Sequence, residues 1–97
     1  MVIAGARYEL LVPSASSLKD KRQVIKGLLE RIRHRYNVSA AEIDGQDNWQ
    51  RATIGAAVVS SREYLARELL DRVTRHVEGC IDVELTDVAV EFFHEGD

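Results

Sequence analysis

The chain has 97 residues, a net charge of −3, 45% hydrophobic and 30% charged side chains. Those values describe a single domain, residues 1–97, with one core, and exclude a disordered polyelectrolyte. No apolar run approaches the roughly 18 residues of a membrane span. The opening MVIAGARYELLV has no basic leader and is broken by Arg7 and Glu9, so it reads as a strand and not an export signal. The single cysteine, Cys80, excludes an internal disulfide framework and points to the reducing cytoplasm.

Val2, Ala4, Ala6, Tyr8, Leu10 and Val12 form one parity set of an alternating segment, which predicts a half-buried strand over Val2–Val12. Pro13 lacks an N–H and ends it. Ser17 is a good N-cap, with Asp20 as a short capping-box acid, for a helix running to about Tyr36. Leu18, Ile25, Leu28, Leu29, Ile32 and Tyr36 make its core stripe, and Asn37 is suited to a left-handed C-terminal residue.

This helix also carries the clearest charge anomaly. Between Lys19 and Arg35 seven Lys or Arg stand against Asp20 and Glu30, in a chain that is acidic as a whole. At about 100° per residue, Lys19, Arg22, Lys26 and Arg33 line one border of the apolar stripe, while Arg31 and Arg35 flank the other.

Val38–Asp44 and Arg51–Ser60 read as strands joined by a hairpin loop, GQDNWQ, in which Gly45 and Asn48 form the turn. Small apolar residues on both faces of the second suit a central strand. Ser60 with Glu63 predicts a capping box opening a second helix, whose core stripe is Ala66, Leu69, Leu70, Val73 and Val77. Glu63–Arg67, Glu68–Arg72 and Asp71–Arg75 have the spacing of acid-to-base pairs that would neutralise its surface. Gly79 stops it. A last strand lies within Ile81–Phe93, with a parity change that predicts a bulge or late start near Thr86–Asp87. The tail, residues 94–97, is expected to fray.

The order βαββαβ with right-handed crossovers predicts an α+β, ferredoxin-like fold: a four-stranded antiparallel sheet with two helices on one face. The other face is left open, carrying Ile3, Leu11, Val59 and Phe93, and a homodimer burying it is one expectation. Cover by loops or the tail is the other.

The motifs SLKDKR (Ser17–Arg22), RYNVS (Arg35–Ser39), Ala41–Glu42 and QDNWQRA (Gln46–Ala52) together resemble the YlxP-like bacterial proteins, over nearly the full length. The resemblance implies the βαββαβ fold and a genetic association with translation-factor and ribosome-maturation genes. It implies no catalytic residues.

For function, Lys19, Arg22, Lys26 and Arg33 would serve as counter-charges to nucleic-acid phosphates, against the plainer reading of a solvated helix face. Trp49, with Arg51 beside it, would offer a stacking platform for a base. The competing and favoured reading is that Trp49 packs back on the sheet edge or into an interface. Glu42 and Asp44 share a strand face but are more simply solvated carboxylates than catalytic or Mg²⁺-binding ones. His34, His76 and His94 are scattered, and His76–Cys80 lacks a second pair of zinc ligands. The connection Pro13-Ser14-Ala15-Ser16 has neither the glycine-containing, arginine-ended phosphate cradle of acylphosphatases nor the CxxC of metallochaperones on this topology. No nucleophile–base pair or cofactor motif is visible. The expectation is a non-enzymatic module without cofactor that contacts RNA or a ribosomal subunit and no membrane. The alternative is a homodimeric or small-ligand-responsive domain using the open sheet face.

Overall fold

The structure, a computed structural model, describes residues 1–96 and contains β1 (Val2–Leu11), α1 (Leu18–Arg35), β2 (Ser39–Asp44), β3 (Arg51–Ser60), α2 (Glu63–Glu78) and β4 (Glu84–His94). The strands form one antiparallel sheet in the order β2-β3-β1-β4, which is the ferredoxin-like arrangement. The parity set of β1 is buried from Val2 to Leu10, with Val12 just beyond, and packs with Ala52, Ile54, Ala56 and Val58 of β3 beneath the helices. Thr86 is the extra residue where the β1–β4 register shifts between Glu9 and Leu10, and its hydroxyl donates to the Glu9 carbonyl at 3.1 Å. The bulge therefore falls where the parity change put it.

Ser17 caps α1, accepting from the Asp20 N–H at 3.1 Å, while the Asp20 carboxylate turns back to the Ser16 N–H and hydroxyl. Ile25, Leu28, Leu29, Ile32 and Tyr36 are buried as their spacing requires. Four local expectations fail. Asn37 is not left-handed, since no non-glycine residue has positive φ among the described residues. The Ser60–Glu63 capping box does not form. Arg62 occupies the N-cap with no side-chain bond, Ser60 Oγ accepts only from the Arg62 N–H, and Glu63 is taken by His94 Nε2 at 3.1 Å and Arg67 at 3.5 Å. Of the three predicted pairs on α2 only Glu63–Arg67 is made. The tail also holds, because the Glu95 N–H reaches the Met1 carbonyl at 2.9 Å and extends the ladder beyond His94. Asp97, the last residue of that tail, lies outside the described residues.

The two helices meet through their C-terminal halves: Tyr36 touches His76 edge-on, and Arg31 donates to Cys80 Sγ. The N-terminal half of α1 consequently extends past α2 and rests against the end of β2, giving a long axis of 49 Å. The helix layer also stops short of β4, where Val88 and Val90 remain part-exposed on the helix side. No helix among the described residues is long and apolar enough to cross a membrane.

Candidate functional site

Lys21 is the residue that the charge count of α1 passed over. One of the seven basic side chains between Lys19 and Arg35, it has no exposed surface, and its ammonium donates to Glu42 Oε2 at 2.7 Å and to the Gly45 carbonyl at 2.9 Å. Glu42 is correspondingly not a solvated carboxylate: its side chain is 17% exposed and is the counter-charge of the buried lysine. A signal was present. Lys21, Ile25, Leu28 and Ile32 follow the i, i+4, i+7, i+11 rhythm of the apolar stripe, so the helix geometry aims Lys21 at the core.

This ion pair joins SLKDKR, Ala41–Glu42 and the loop before QDNWQRA, and holds the first turns of α1 against the β2–β3 connection. Gly45 has φ +80, a left-handed turn conformation that glycine adopts without strain. Asn48 Oδ1 accepts from the N–H groups of Gln50 and Arg51 at 2.9 and 3.0 Å, and the Gln50 carbonyl accepts from the Val12 N–H at 2.8 Å. The loop is thus shaped by Asn48, and Trp49, between that turn and β3, is 44% exposed, so it does not fold back into the core. Arg51 opens β3 opposite Leu11 and is exposed.

Lys19, Arg22 and Lys26 are exposed, and none enters an ion pair among the described residues. Arg33, the fourth member of that border, is committed differently. Its Nε and Nη2 both donate to the Ala40 carbonyl, at 2.9 and 2.6 Å, which ties the end of α1 to the outer strand β2. Its first role is to position that strand. The loop carrying Trp49 and the start of β3 at Arg51 thus lie at the end of the molecule where α1 begins with Lys19 and Arg22. Arg51 is on the helix-free face of the sheet and the two α1 cations on the helix layer, with Lys26 farther along the helix.

The helix-free face of the sheet holds Ile3, Ile43, Val59 and Phe93, all substantially exposed, with Leu11 half-buried. Between them runs an open trough of ≈ 400 Å³ floored by Gly5, Gly55, Ala57 and Ala89. Arg7, which lines it, pairs with Glu9 two residues farther along β1 at 3.1 Å. The Thr53 hydroxyl, 2.7 Å from Glu9 Oε2, and then Arg7 hold the Glu9 carboxyl below its ordinary range. Tyr8, buried on the other face, bonds Thr74 Oγ1 at 2.8 Å. Burial raises its pKa against the opposing effect of that bond. No group of three or more His, Cys, Asp or Glu side chains converges as metal ligands do among the described residues.

Comparison with known sequences agrees with these motifs. Residues 3–90 match the family model described as a protein of unknown function, DUF503. The uncharacterized protein YlxP of Bacillus subtilis (strain 168) is 38% identical over 92 residues, spanning 95% of this chain and all of the relative. With both matches covering the residues that build the Lys21–Glu42 clasp and the tryptophan loop, the chain belongs to the DUF503 family of YlxP-like proteins.

Proposed function

We propose that this domain is a non-enzymatic, RNA- or ribosome-associated module that works in the cytoplasm, contributing to translation or ribosome maturation. The observation that carries the reading is the Lys21 clasp. By tying α1 to Glu42 and Gly45 it sets unpaired cations, Lys19 and Arg22, at the same end as an exposed tryptophan and Arg51. Cations that neutralise phosphates beside a ring that stacks on an unpaired base form the usual surface for single-stranded nucleic acid. Lys26 extends the charged border, and Arg33 keeps β2 in register beneath it. The gene association implied by the family resemblance fits the same reading.

The test is co-sedimentation with ribosomal subunits, and binding of single-stranded RNA, across a salt series. Binding should weaken several-fold between low and physiological salt, as counterion release requires. It should be lost when Lys19, Arg22 and Lys26 are changed to Glu, and Trp49→Ala should weaken it without changing the salt slope. Absence of binding to RNA and to either subunit at low salt would refute the proposal.

A second reading rests on the helix-free sheet face. Its exposed Ile3, Ile43, Val59 and Phe93 around a glycine- and alanine-floored trough suit a homodimer or a small apolar ligand. Sedimentation showing a monomer at micromolar concentration would remove the dimer.

A further inference from the structure

On the border of α1 turned away from Lys19 and Lys26, the C-terminal halves of the two helices enclose an open cleft of ≈ 380 Å³. It is lined by Arg35, Tyr36, Arg72, Arg75 and His76. Arg31 joins Arg75 and His76 along the adjoining groove. Tyr36, nearly buried, anchors the arrangement. Arg35 from α1 and Arg72 from α2 each place the guanidinium carbon 5.7 Å from its ring centroid. His76 meets the same ring edge-on, with centroids 5.7 Å apart and planes at 78°.

Two ordinary causes account for part of this. An aromatic face attracts a guanidinium, and cations in the last turn of a helix oppose its dipole, which covers Arg35, Arg75 and His76. Neither explains why three arginines from two helices line one cleft, nor why Arg72, more than a turn before the end of α2, bends to the ring. Glu68 and Asp71 stand at the spacing that would neutralise Arg72 and Arg75, yet neither forms an ion pair with them. Asp82 lines the adjoining groove and likewise pairs with none of the arginines. Burial, then Arg35 and Arg31, lower the His76 pKa, so the imidazole already senses a positive field. Gathered like charges repel unless an anion sits among them, and guanidinium forks match phosphate oxygens in bidentate fashion.

We propose that this interhelix cleft is a phosphate-binding site, in which Arg35 and Arg72 grip one phosphate group from opposite helices and Arg75 and His76 complete its counter-charge, while Arg31, bonded to Cys80 Sγ, adds positive field from the adjoining groove. The phosphate belongs either to a compact free anion or to an RNA backbone. The site lies on the border of α1 opposite the RNA surface proposed above and does not depend on it.

Calorimetric titration of the whole chain with inorganic phosphate and pyrophosphate, at low and constant ionic strength in chloride, tests the site. Saturable binding is expected, pyrophosphate the tighter, with the His76 imidazole resonances moving and its pKa rising in the complex. Arg72→Gln with Arg75→Gln should weaken pyrophosphate by about tenfold or more, and Arg35→Gln gives an independent check from the other helix. Lys19→Gln with Arg22→Gln and Lys26→Gln, which removes charge without reversing it, should weaken pyrophosphate far less than Arg72→Gln with Arg75→Gln, whatever it does to RNA. A single-stranded RNA that displaces pyrophosphate from the wild type, and whose own binding falls with Arg72→Gln and Arg75→Gln, identifies the phosphate as part of a backbone. Pyrophosphate binding undisturbed by RNA identifies a free anion. No saturable binding of either anion at millimolar concentration, or wild-type affinity in both the Arg72/Arg75 and Arg35 variants, overturns the proposal.

Discussion

Replacing Glu42 with Gln would leave the Lys21 ammonium in the core with two neutral acceptors, the new amide oxygen and the Gly45 carbonyl, where it now has a carboxylate at 2.7 Å. A buried charge stripped of its counter-charge typically costs about 3–5 kcal/mol. Lys21→Met is the gentler change. It keeps most of the stem volume and removes the fully buried charge, while the 17%-exposed Glu42 retains access to water. The loss there is the charge-assisted bond, about 1.5–3 kcal/mol. The double change to Met and Gln leaves no unpaired charge, so it should cost about as much as Lys21→Met alone. A double-mutant cycle should then return a coupling about equal to the Glu42→Gln cost itself, about 3–5 kcal/mol. For a domain whose whole stability is of order 5–15 kcal/mol, the Glu42 variant should be visibly compromised. Urea unfolding followed by far-ultraviolet circular dichroism measures all four corners of the cycle. If Glu42→Gln proves no more damaging than Lys21→Met, or the two effects simply add, the pair is not buried in solution and does not clasp α1 to β2.

Arg33→Met should cost about 1–3 kcal/mol and speed hydrogen exchange at the β2 amides, because the Ala40 carbonyl loses both of its side-chain donors. Lysine at position 33 should recover little, since it lacks the two-donor fork. At Gly45 the backbone has φ +80, and an added Cβ would stand 3.2 Å from the Arg51 carbonyl oxygen. Gly45→Ala should therefore lower stability by about 1–2 kcal/mol in the same melts, and wild-type stability in that variant would contradict the turn. Tyr8→Phe should cost about 1 kcal/mol, no more, because Thr74 Oγ1 keeps the Leu70 carbonyl as acceptor at 2.8 Å. The His76 pKa lies below its ordinary 6.5, through burial and then Arg35 and Arg31. Below 6.5 the unfolded chain takes up a proton that the folded chain refuses, so stability should decline as pH falls from 6.5 toward the folded value. His76→Gln should flatten that decline, and an unchanged pH profile in the variant would argue against it.

Much of the framework could be read directly from side-chain rhythm. The parity of β1 placed Ala4, Ala6, Tyr8 and Leu10 in the core, and the parity change in the last strand located the bulge at Thr86. Ser17 capped α1 as its side chain suggests. Each of these follows from interactions a few residues apart, or from a repeat that decides which face a residue occupies. The expectations that failed were also local patterns, but a distant residue competed for one member. Glu63 sits where a capping box needs it, yet His94, brought across by β4, holds its carboxylate below its ordinary range and takes it away from the cap. Arg72 has an acid four residues before it, yet the Tyr36 ring on the other helix draws it aside.

The candidate surfaces show the same division. Sequence alone determined that α1 is amphipathic, that its cations fall on two borders, and that a lone tryptophan sits in a turn, because helical pitch and turn chemistry are local. It could not decide which cations are free. Lys21 became a core residue because β2 presents Glu42 and Gly45 to it, and Arg33 became a strand tether because Ala40 lies within its reach. Arg31 and Arg35 acquired Arg72, Arg75 and His76 as neighbours only when α2 packed against the second border. Whether a charge is paired, buried or available depends on what stands within a few ångströms of it, and that proximity is set by the packing of segments remote in the chain.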